Sequence, residues 1–312
     1  MKIAAYTVGD IKVASARLRS FYLFHSASNY GFEVFRDLSI WQSIDCKYLH
    51  LQGCYTPRFV LHAIIFRLLG KRVFFDVNDM PTRKRHFIFF VIMTKIANIV
   101  LVALETTKNY LTKYVDFSKI FVFPTVIDVN PNKINKLFFV RNENSRGIFW
   151  IGHPGNLISI EEFMNIIRFR HEYRLIVCTK LTEIKSYIKK YPWVTFIDWN
   201  VDSALDCKLD IGYCILNHAG CSQALLRGDS KMILAIAVGL IPIVSRTPAY
   251  ENLAKVLDAE RLIFNELAEV FVIIEKLDKM WKRDFFDRCK SYILSNHTSD
   301  HVFSLFASKF LC

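Results

Sequence analysis

A glycine-containing turn near the middle of the chain carries residue types that bind phosphate. Residues 152–156 read G-H-P-G-N and directly follow an apolar, strand-like run. Ligands of open α/β sheets bind beyond the carboxyl ends of the strands, where Gly152, Gly155 and Asn156 would let backbone N–H groups approach an anion. His153, in the same turn, is either a catalytic residue that contacts the bound ligand or a plain loop histidine.

The same turn argues against two common classes of nucleotide-binding protein. It contains neither the G-x-G-x-x-G fingerprint nor the G-x-x-x-x-G-K-[ST] phosphate loop. Ordinary dinucleotide dehydrogenases and P-loop NTPases are therefore not expected.

Two cations lie four residues apart farther along the chain. Arg227 and Lys231 open a helical run that ends at Gly239, before an apolar strand pattern. At the start of a helix they add to its dipole and would hold a diphosphate through charge-assisted hydrogen bonds. The alternative is a solvated helix face. Fixed cations and N–H groups of this kind stabilise charge that develops on a leaving group.

The hydropathy pattern predicts the strands and helices that position these residues. Short apolar runs alternate with longer helical patterns, which is typical of βαβ units on a parallel sheet. Helices are predicted at residues 15–29, 57–69, 84–97 and 105–114 of the first half. The predicted strands are residues 2–8, 32–35, 47–51, 72–75, 99–103 and 120–123, then 147–151, 174–177, 194–197, 210–215, 241–244 and 262–264.

The alternation breaks once, at a polar stretch, and then restarts. A chain of 312 residues is long enough for two cores. We predict two doubly wound domains, residues 1–130 and 147–290, joined by a linker at 131–146. A C-terminal helix at residues 291–312 is expected to pack back toward the first domain.

Several segments resemble the nucleotide-sugar glycosyltransferases of the GT-B fold, similar to glycosyltransferase family 4. Residues 227–245 resemble that family's K-S-x-L-K-x-x-E-Y-x-A-x-G-x-P-V-V-A-S motif, and residues 150–156 its W-I-G-S-P-G-N turn. Further matches are residues 74–79, 122–128, 209–213 and 248–251, which resemble its D-x-D-D, V-I-P-N-G-I-D, A-D-I-G-I-A-P and P-x-Y-x-E segments. The matches follow the family's order over residues 70–255.

The resemblance implies an α/β protein of the GT-B fold, with two tandem Rossmann-like domains facing a cleft. The second domain would hold the donor, with Tyr250 and Glu251 joining the turn and the two cations, and the first would hold the acceptor. Transfer would retain the anomeric configuration. The sequence contains no D-x-D motif, so no metal ion or other cofactor is expected besides the nucleotide-diphosphate sugar as co-substrate.

One departure from the family concerns its acidic residues. The glutamates that contact the ribose and the sugar are replaced here by Leu226 and Leu234. Either the donor pocket is divergent, with Glu251 taking part of that role, or the protein is a catalytically silent scaffold.

The first domain adds two further pairs of candidates. Arg17 and Arg19 follow the first strand's loop, where they either complete the phosphate site or belong to a basic surface. Asp76 and Asp79 end an apolar strand, at the ligand edge of the sheet. One of them either orients the acceptor hydroxyl as a catalytic residue or caps the next turn.

The net charge of +12 is concentrated in the first half of the chain. Residues 1–140 carry 19 Lys and Arg against 9 Asp and Glu, and the rest carries 22 against 20. The asymmetry indicates an anionic partner, unless it reflects only an A/T-rich genome. Nucleic acid is not expected, because no helix-turn-helix, zinc-ligand spacing or RNP-like motif is present.

A basic cluster beside an apolar helix favours a membrane surface as that partner. Arg83, Lys84 and Arg85 precede an aromatic run that contains Phe87 and Phe90. Such a helix lies in an anionic lipid interface, although it is too short to span the bilayer. The alternative is a buried helix with a solvated basic start.

The eight cysteines form no C-x-x-C pair, and no signal-peptide pattern precedes the first strand. We therefore expect reduced thiols in a cytoplasmic protein, peripheral on the inner face of the membrane. The function predicted is transfer of a sugar from a nucleotide-diphosphate sugar to a glycan or lipid-linked acceptor, in cell-surface polysaccharide, lipopolysaccharide or glycoprotein glycan synthesis. The alternatives are the silent scaffold, binding a membrane or a partner transferase, and a GT-B sugar-nucleotide epimerase.

Overall fold

The computed structural model describes the chain except residues 78, 79, 82, 83, 139–144, 201, 204–209, 219–225, 227 and 312, and the side chains of 134–136. It divides into two compact units. The first comprises Met1–Pro131 and Ser295–Cys312, and the second comprises Asn132–Leu294. Most of the predicted linker therefore belongs to the second unit, and it begins with the 3₁₀-helix Pro131–Lys136, which crosses the boundary between the units.

The first unit is built on a six-stranded parallel sheet. Its order is β2-β1-β3-β4-β5-β6, so the chain reverses direction across the sheet once, as in doubly wound folds. The strands are β1 Lys2–Thr7, β2 Glu33–Arg36, β3 Tyr48–Gln52, β4 Arg72–Val77, β5 Ile99–Val102 and β6 Ile120–Val122. The helices are α1 Ala14–Ala16, α2 Ile40–Ser43, α3 Pro57–Leu68, α4 Lys84–Ile96 and α5 Glu105–Leu111.

The second unit repeats this architecture. Its parallel sheet has the order β12-β11-β10-β7-β8-β9. The strands are β7 Gly147–Ile151, β8 Arg174–Thr179, β9 Thr195–Asp198, β10 Tyr213–Leu216, β11 Ile241–Ser245 and β12 Ile263–Phe264. The helices are α6 Glu161–Ile166, α7 Lys185–Lys190, α8 Ser230–Ala237, α9 Pro248–Val256, α10 Glu269–Lys276 and α11 Lys279–Asn296, and α12 Ser299–Phe306 follows in the first unit.

All twelve predicted strands are confirmed, with ends shifted by a few residues. Both faces of these sheets are covered, so their strands are continuous apolar runs that are easy to recognise. The helix predicted at residues 15–29 is wrong as a single element. It is divided into α1, a π-helix at Arg17–Phe21 and a 3₁₀-helix at Ala27–Tyr30.

Successive residues of β4 show how the first unit fills both sides of its sheet. Phe75 packs against Phe90 of α4, with ring centroids 5.6 Å apart. Phe74 points the other way and contacts Phe306 of α12 at 5.2 Å. The alternation follows from the two-residue period of a strand. The C-terminal segment is therefore part of the first unit's core.

Among the described residues, no helix combines the length and the apolar character that a membrane crossing needs.

Candidate functional site

The turn of residues 152–156 lies at the carboxyl end of β7 and is ordered by its own hydrogen bonds. His153 caps the 3₁₀-helix Pro154–Ile160, because its Nδ1 accepts a hydrogen bond from the backbone N–H of Gly155 at 3.1 Å. The N–H of Asn156 donates to the His153 carbonyl at 2.9 Å. The N–H of Gly152 donates to the Cys178 carbonyl at 3.2 Å, so all three N–H groups assigned to an anion have acceptors within the protein. The exposed histidine of the turn has a capping role, and its catalytic role stays a prediction.

Lys231 of α8 reaches this turn from a distant part of the sequence. Its Nζ donates to the carbonyl of Ile151, the last residue of β7, at 3.2 Å. The ammonium also lies 5.9 Å from the centre of the Trp150 ring. The structure therefore brings together Lys231 and the glycine turn, and their role in donor binding stays a prediction. Arg227 lies outside the described residues.

Gly152 makes this close approach feasible. A Cβ at this position would lie 2.7 Å from the Trp150 ring and 3.3 Å from the Lys231 ammonium. Any side chain here would have to displace one of them, so the glycine serves packing between the turn and α8.

The other two donor-site candidates follow β11, in α9. Tyr250 is completely buried, with its ring stacked on His218 at 5.6 Å. It lies beneath the surface of the site rather than on it. Glu251 pairs with Arg246, which also donates from Nε to Asn265 Oδ1 at 2.9 Å.

A pocket of about 370 Å³ opens at the carboxyl edge of the same sheet. Its walls come from the segments that follow β7, β10 and β12. Nδ2 of Asn217, directly after β10, donates to the Ser159 carbonyl at 2.6 Å and so joins two of these segments. The polar side chains in the wall include Glu162, Asn265 and Glu266.

Asp76, Arg17 and Arg19 of the first unit have roles that differ from both alternatives considered for them. Asp76 is fully buried, and its carboxylate accepts hydrogen bonds from Arg19 at 2.8 to 3.1 Å. His50 Nε2 lies 3.5 Å from the same carboxylate. Burial alone would raise the pKa of Asp76, but Arg19 and His50 hold it below its ordinary value. Asp76 thus forms a buried ion pair and neither orients an acceptor from the surface nor caps a turn. Asp79 lies outside the described residues.

The two candidate arginines, Arg17 and Arg19, are both buried, so the expectation of two cations facing a ligand or solvent is wrong. Arg19 also donates from Nη1 to the Phe123 carbonyl at 2.8 Å. Arg17 pairs with both carboxylate oxygens of Asp128, at 2.6 and 2.9 Å. Its Nη1 donates to the carbonyls of Ile11 and Lys12, which fixes the loop after β1.

The expected membrane-contacting residues divide along α4. Lys84 and Arg85 are exposed, whereas Phe87 is partly buried against the core. Phe90 is completely buried, so its expected contact with lipid is wrong. It lies one helical turn before Met93 and shares that residue's inward face. Arg83 lies outside the described residues.

Comparison with known proteins places this geometry in a fold family. No protein family model matches the sequence, and no curated protein matches it either. Among solved structures, an alpha-glucosyltransferase in complex with UDP and a 13-mer DNA containing an HMU base matches with a TM-score of 0.63. The match is 10% identical in sequence and covers 99% of this chain and 98% of that one.

Two further structures agree. A point mutant of S. aureus TarM, in complex with fondaparinux, alpha-GlcNAc-glycerol and UDP, matches at 10% identity over 84% of this chain, with a TM-score of 0.56. The chain spans about half of TarM's length, 54%. UDP-N-acetylglucosamine 2-epimerase from Rickettsia bellii matches at 13% identity over 100% of both chains, with a TM-score of 0.50.

The chain has the GT-B fold. Its two parallel sheets and the similarity to these structures decide this, whereas membership of family 4 stays a prediction. Within this GT-B chain, the leucines that replace the family's glutamates have different surroundings. Leu234 is buried in α8, where each residue from Met232 to Ala237 is buried, and Leu226 is partly exposed. An apolar residue at position 234 therefore suits the packing of the helix.

The sequence analysis did not identify the polar residues that line the pocket of the second unit. Asn217 and Asn265 each directly follow a strand, which is the signal that could have identified them. Glu162 and Glu266 place carboxylates at this edge of the sheet, although neither residue belongs to α8, where Leu234 lies.

Proposed function

We propose that this protein is a glycosyltransferase that uses a nucleotide-diphosphate sugar bound by its second unit. The observation that carries the proposal is the Lys231 ammonium on the carbonyl at the end of β7, beside the glycine turn. A cation held there would neutralise the diphosphate as its bond to the sugar breaks. The alpha-glucosyltransferase and TarM structures each contain UDP, which supports a nucleotide diphosphate as the leaving group.

The chemistry assigned to this site is transfer of a glycosyl group. The bond between the anomeric carbon and the diphosphate oxygen breaks, a bond to an acceptor hydroxyl oxygen forms, and the proton of that hydroxyl passes to the departing diphosphate. Lys231 and Arg227 supply the compensating positive charge, so the proposal needs no metal ion. We further propose that the anomeric configuration is retained. Asp79 is our candidate for orienting the acceptor hydroxyl, since Asp76 is buried.

The acceptor we propose is a glycan or a lipid-linked sugar, in the synthesis of cell-surface polysaccharide, lipopolysaccharide or glycoprotein glycans. TarM is crystallised with alpha-GlcNAc-glycerol, which supports an acceptor of this general kind. We propose that the reaction takes place at the cytoplasmic face of an anionic membrane. The basic first half of the chain supports this, as do the buried thiols of Cys46, Cys54, Cys214 and Cys289, which form no disulfide.

The test is calorimetric binding of UDP, GDP, TDP and their sugars to the wild type and to Lys231→Ala. Loss of one charge-assisted hydrogen bond should weaken nucleotide diphosphate binding about tenfold to a hundredfold. Affinity for the matching nucleoside, which has no phosphate, should not change. Lys189→Ala, at an exposed position on α7, is the matched control and should bind like the wild type.

Each other outcome has a distinct meaning. Equal diphosphate affinity in Lys231→Ala would place the phosphate site elsewhere. A wild type that binds no nucleotide would favour the silent scaffold, and epimerised sugar nucleotide without transfer would favour the epimerase. Transfer of sugar to duplex DNA would replace the glycan acceptor by nucleic acid, a result that the DNA in the alpha-glucosyltransferase complex makes worth measuring.

A further inference from the structure

Helices α3 and α4 cover the same face of the first unit's sheet. α3 joins β3 to β4 and α4 joins β4 to β5, and these three strands are neighbours. Val60 and Phe66 of α3 belong to the same buried cluster as Phe90 and Met93 of α4. Because both helices turn these residues toward one sheet, their outer sides lie next to each other and point away from it.

The outer sides of both helices carry large aliphatic side chains in the open. Leu68 is 82% exposed and Ile88 is 60% exposed. The exposed positions recur at intervals of three and four residues, which is the spacing of one helix face. The aliphatic set, with the residue after α3 included, is Leu61, Ile64, Leu68, Leu69, Ile88 and Ile92. Together with the cations below, we call this surface the α3–α4 face.

The charges of this face have one sign. Residues 57–71 and 84–97 contain no Asp or Glu. Their cations are Arg58, Arg67, Lys71, Lys84, Arg85 and Lys95, of which Lys71 is partly exposed and the other five are exposed. Helix α11 of the second unit provides a contrast, because it mixes Lys and Arg with Asp284 and Asp287. An ordinary solvated helix has such mixed charges, whereas the α3–α4 face does not.

We propose that the α3–α4 face lies flat on an anionic lipid surface. Acidic headgroups would neutralise its cations while the aliphatic side chains enter the boundary of the acyl chains. A second copy of the chain would bring the same six cations against it and repel. A nucleic acid would match the charge but leave the aliphatic side chains uncovered. Lipid satisfies both features of the face.

The proposed lipid contact therefore involves other residues than the aromatic ones that the sequence analysis predicted. Phe90 and most of Phe87 face the core, and the lipid-facing residues of α4 are Ile88 and Ile92. Half of the face comes from α3. The inference rests on the membrane location in the proposed function, which it extends to particular residues, and it is independent of sugar transfer because the lipid contact needs no substrate.

The test is co-sedimentation of the full chain with vesicles of phosphatidylcholine alone, or with phosphatidylglycerol added. We expect binding only to the anionic vesicles, weakening as salt rises. Arg58→Gln/Lys84→Gln/Lys95→Gln should lower the partition coefficient on the order of a hundredfold. Leu61→Ser/Leu68→Ser/Ile88→Ser should also abolish binding, although it changes no charge.

Matched controls come from the second unit. Lys185→Gln/Lys189→Gln/Lys255→Gln and Val256→Ser/Val272→Ser/Met280→Ser remove equally exposed groups elsewhere and should bind vesicles like the wild type. Equal losses in these controls, or equal binding to phosphatidylcholine alone, would overturn the proposal. So would duplex DNA binding that needs the three cations but not the three aliphatic residues, or a dimer that the serine variant dissociates.

Vesicle binding and nucleotide binding are separate measurements on the same variants. The serine variant should keep the wild-type affinity for nucleotide diphosphate, since its substitutions lie in the first unit. A protein that binds anionic vesicles but no nucleotide would refute the proposed function and leave the α3–α4 face intact. The reverse pattern would refute the α3–α4 face and the proposed membrane location, and would leave the proposed donor site intact.

Discussion

Some buried polar side chains of the first unit stabilise its core, although the sequence alone suggests that they belong to a ligand site. Arg19 and Asp76 are 57 positions apart in the chain, and both are buried as a pair. Removing either partner would leave an uncompensated charge in the core, which typically costs about 3–5 kcal/mol. Substitutions at either residue would thus reduce activity by unfolding the unit, so loss of activity there is weak evidence for a catalytic role.

His62 provides a residue-scale prediction about pH. Its ring is buried in α3, where Nε2 lies 2.7 Å from Ser43 Oγ. Burial and the nearby Arg58 lower the pKa of His62 from 6.5 to about 4. The unfolded chain therefore takes up this proton first as the pH falls, so that stability decreases below pH 6.5. Between pH 7 and pH 5, His62 should reduce the free energy of unfolding by about 2 kcal/mol.

The measurement is urea unfolding of the wild type and His62→Gln at both pH values. The variant is expected to be less stable at pH 7 but to lose less stability on going to pH 5, because other titrating groups are common to both proteins. A stability difference between the two proteins that is the same at both pH values would contradict the prediction.

At the scale of elements, β7 begins with Gly147, and replacing this glycine should reduce the stability of the second unit. A Cβ on Gly147 would lie 2.1 Å from the carbonyl oxygen of Asp210 and 2.9 Å from Cα of Ile211. Both are backbone atoms, so no rotamer change relieves the contact. The Gly147 carbonyl also accepts a hydrogen bond from the N–H of Gly212 at 3.0 Å.

Gly147→Ala should therefore lower the free energy of unfolding of the second unit by about 1–3 kcal/mol. Gly228→Ala is the matched control, because a Cβ there would meet no atom within 4 Å. Thermal unfolding of both variants checks the prediction, and equal midpoints would show that the start of β7 moves easily.

The elements differ in how well the sequence predicts them, for physical reasons. Strands of a covered parallel sheet are continuous apolar runs, so β7 is found with its observed ends. The π-helix within residues 15–29 instead carries Arg17 and Arg19, which pair with Asp128 and Asp76. Those partners are set by the order of strands in the sheet, which local periodicity does not contain.

The candidate site divides in the same way. The glycine turn and Lys231 belong to motifs with their own spacing, and the structure brings them together. Asn217 and Asn265 become neighbours of one pocket only when β10 and β12 take their places in the sheet. Phe87 and Phe90 show a limit of the sequence pattern. An aromatic run beside a basic cluster has the same sequence whether its side chains face lipid or a protein core.

At the scale of the whole molecule, the C-terminal residues 295–312 belong to the first unit and not to the second. The chain completes the second unit and then returns to the first at Ser295. Phe306 is completely buried there, with ring contacts to Phe24, Phe74 and Phe123. The second unit has its own sheet and core. Loss of the C-terminal aromatic cluster should consequently unfold one unit and leave the other.

Phe306→Ala removes a buried ring and should destabilise the first unit by about 3–5 kcal/mol. Hydrogen exchange is expected to show lost amide protection in β1, β3 and β4, with protection retained in β7, β8 and β10. Leu305→Ala, at a half-exposed position one residue earlier on α12, is the control and should exchange like the wild type. If the proposed donor site is right and the first unit binds the acceptor as the resemblance implies, Phe306→Ala also keeps its affinity for nucleotide diphosphate while losing transfer. Equal loss of protection in both sheets would mean that the two units fold as one cooperative body.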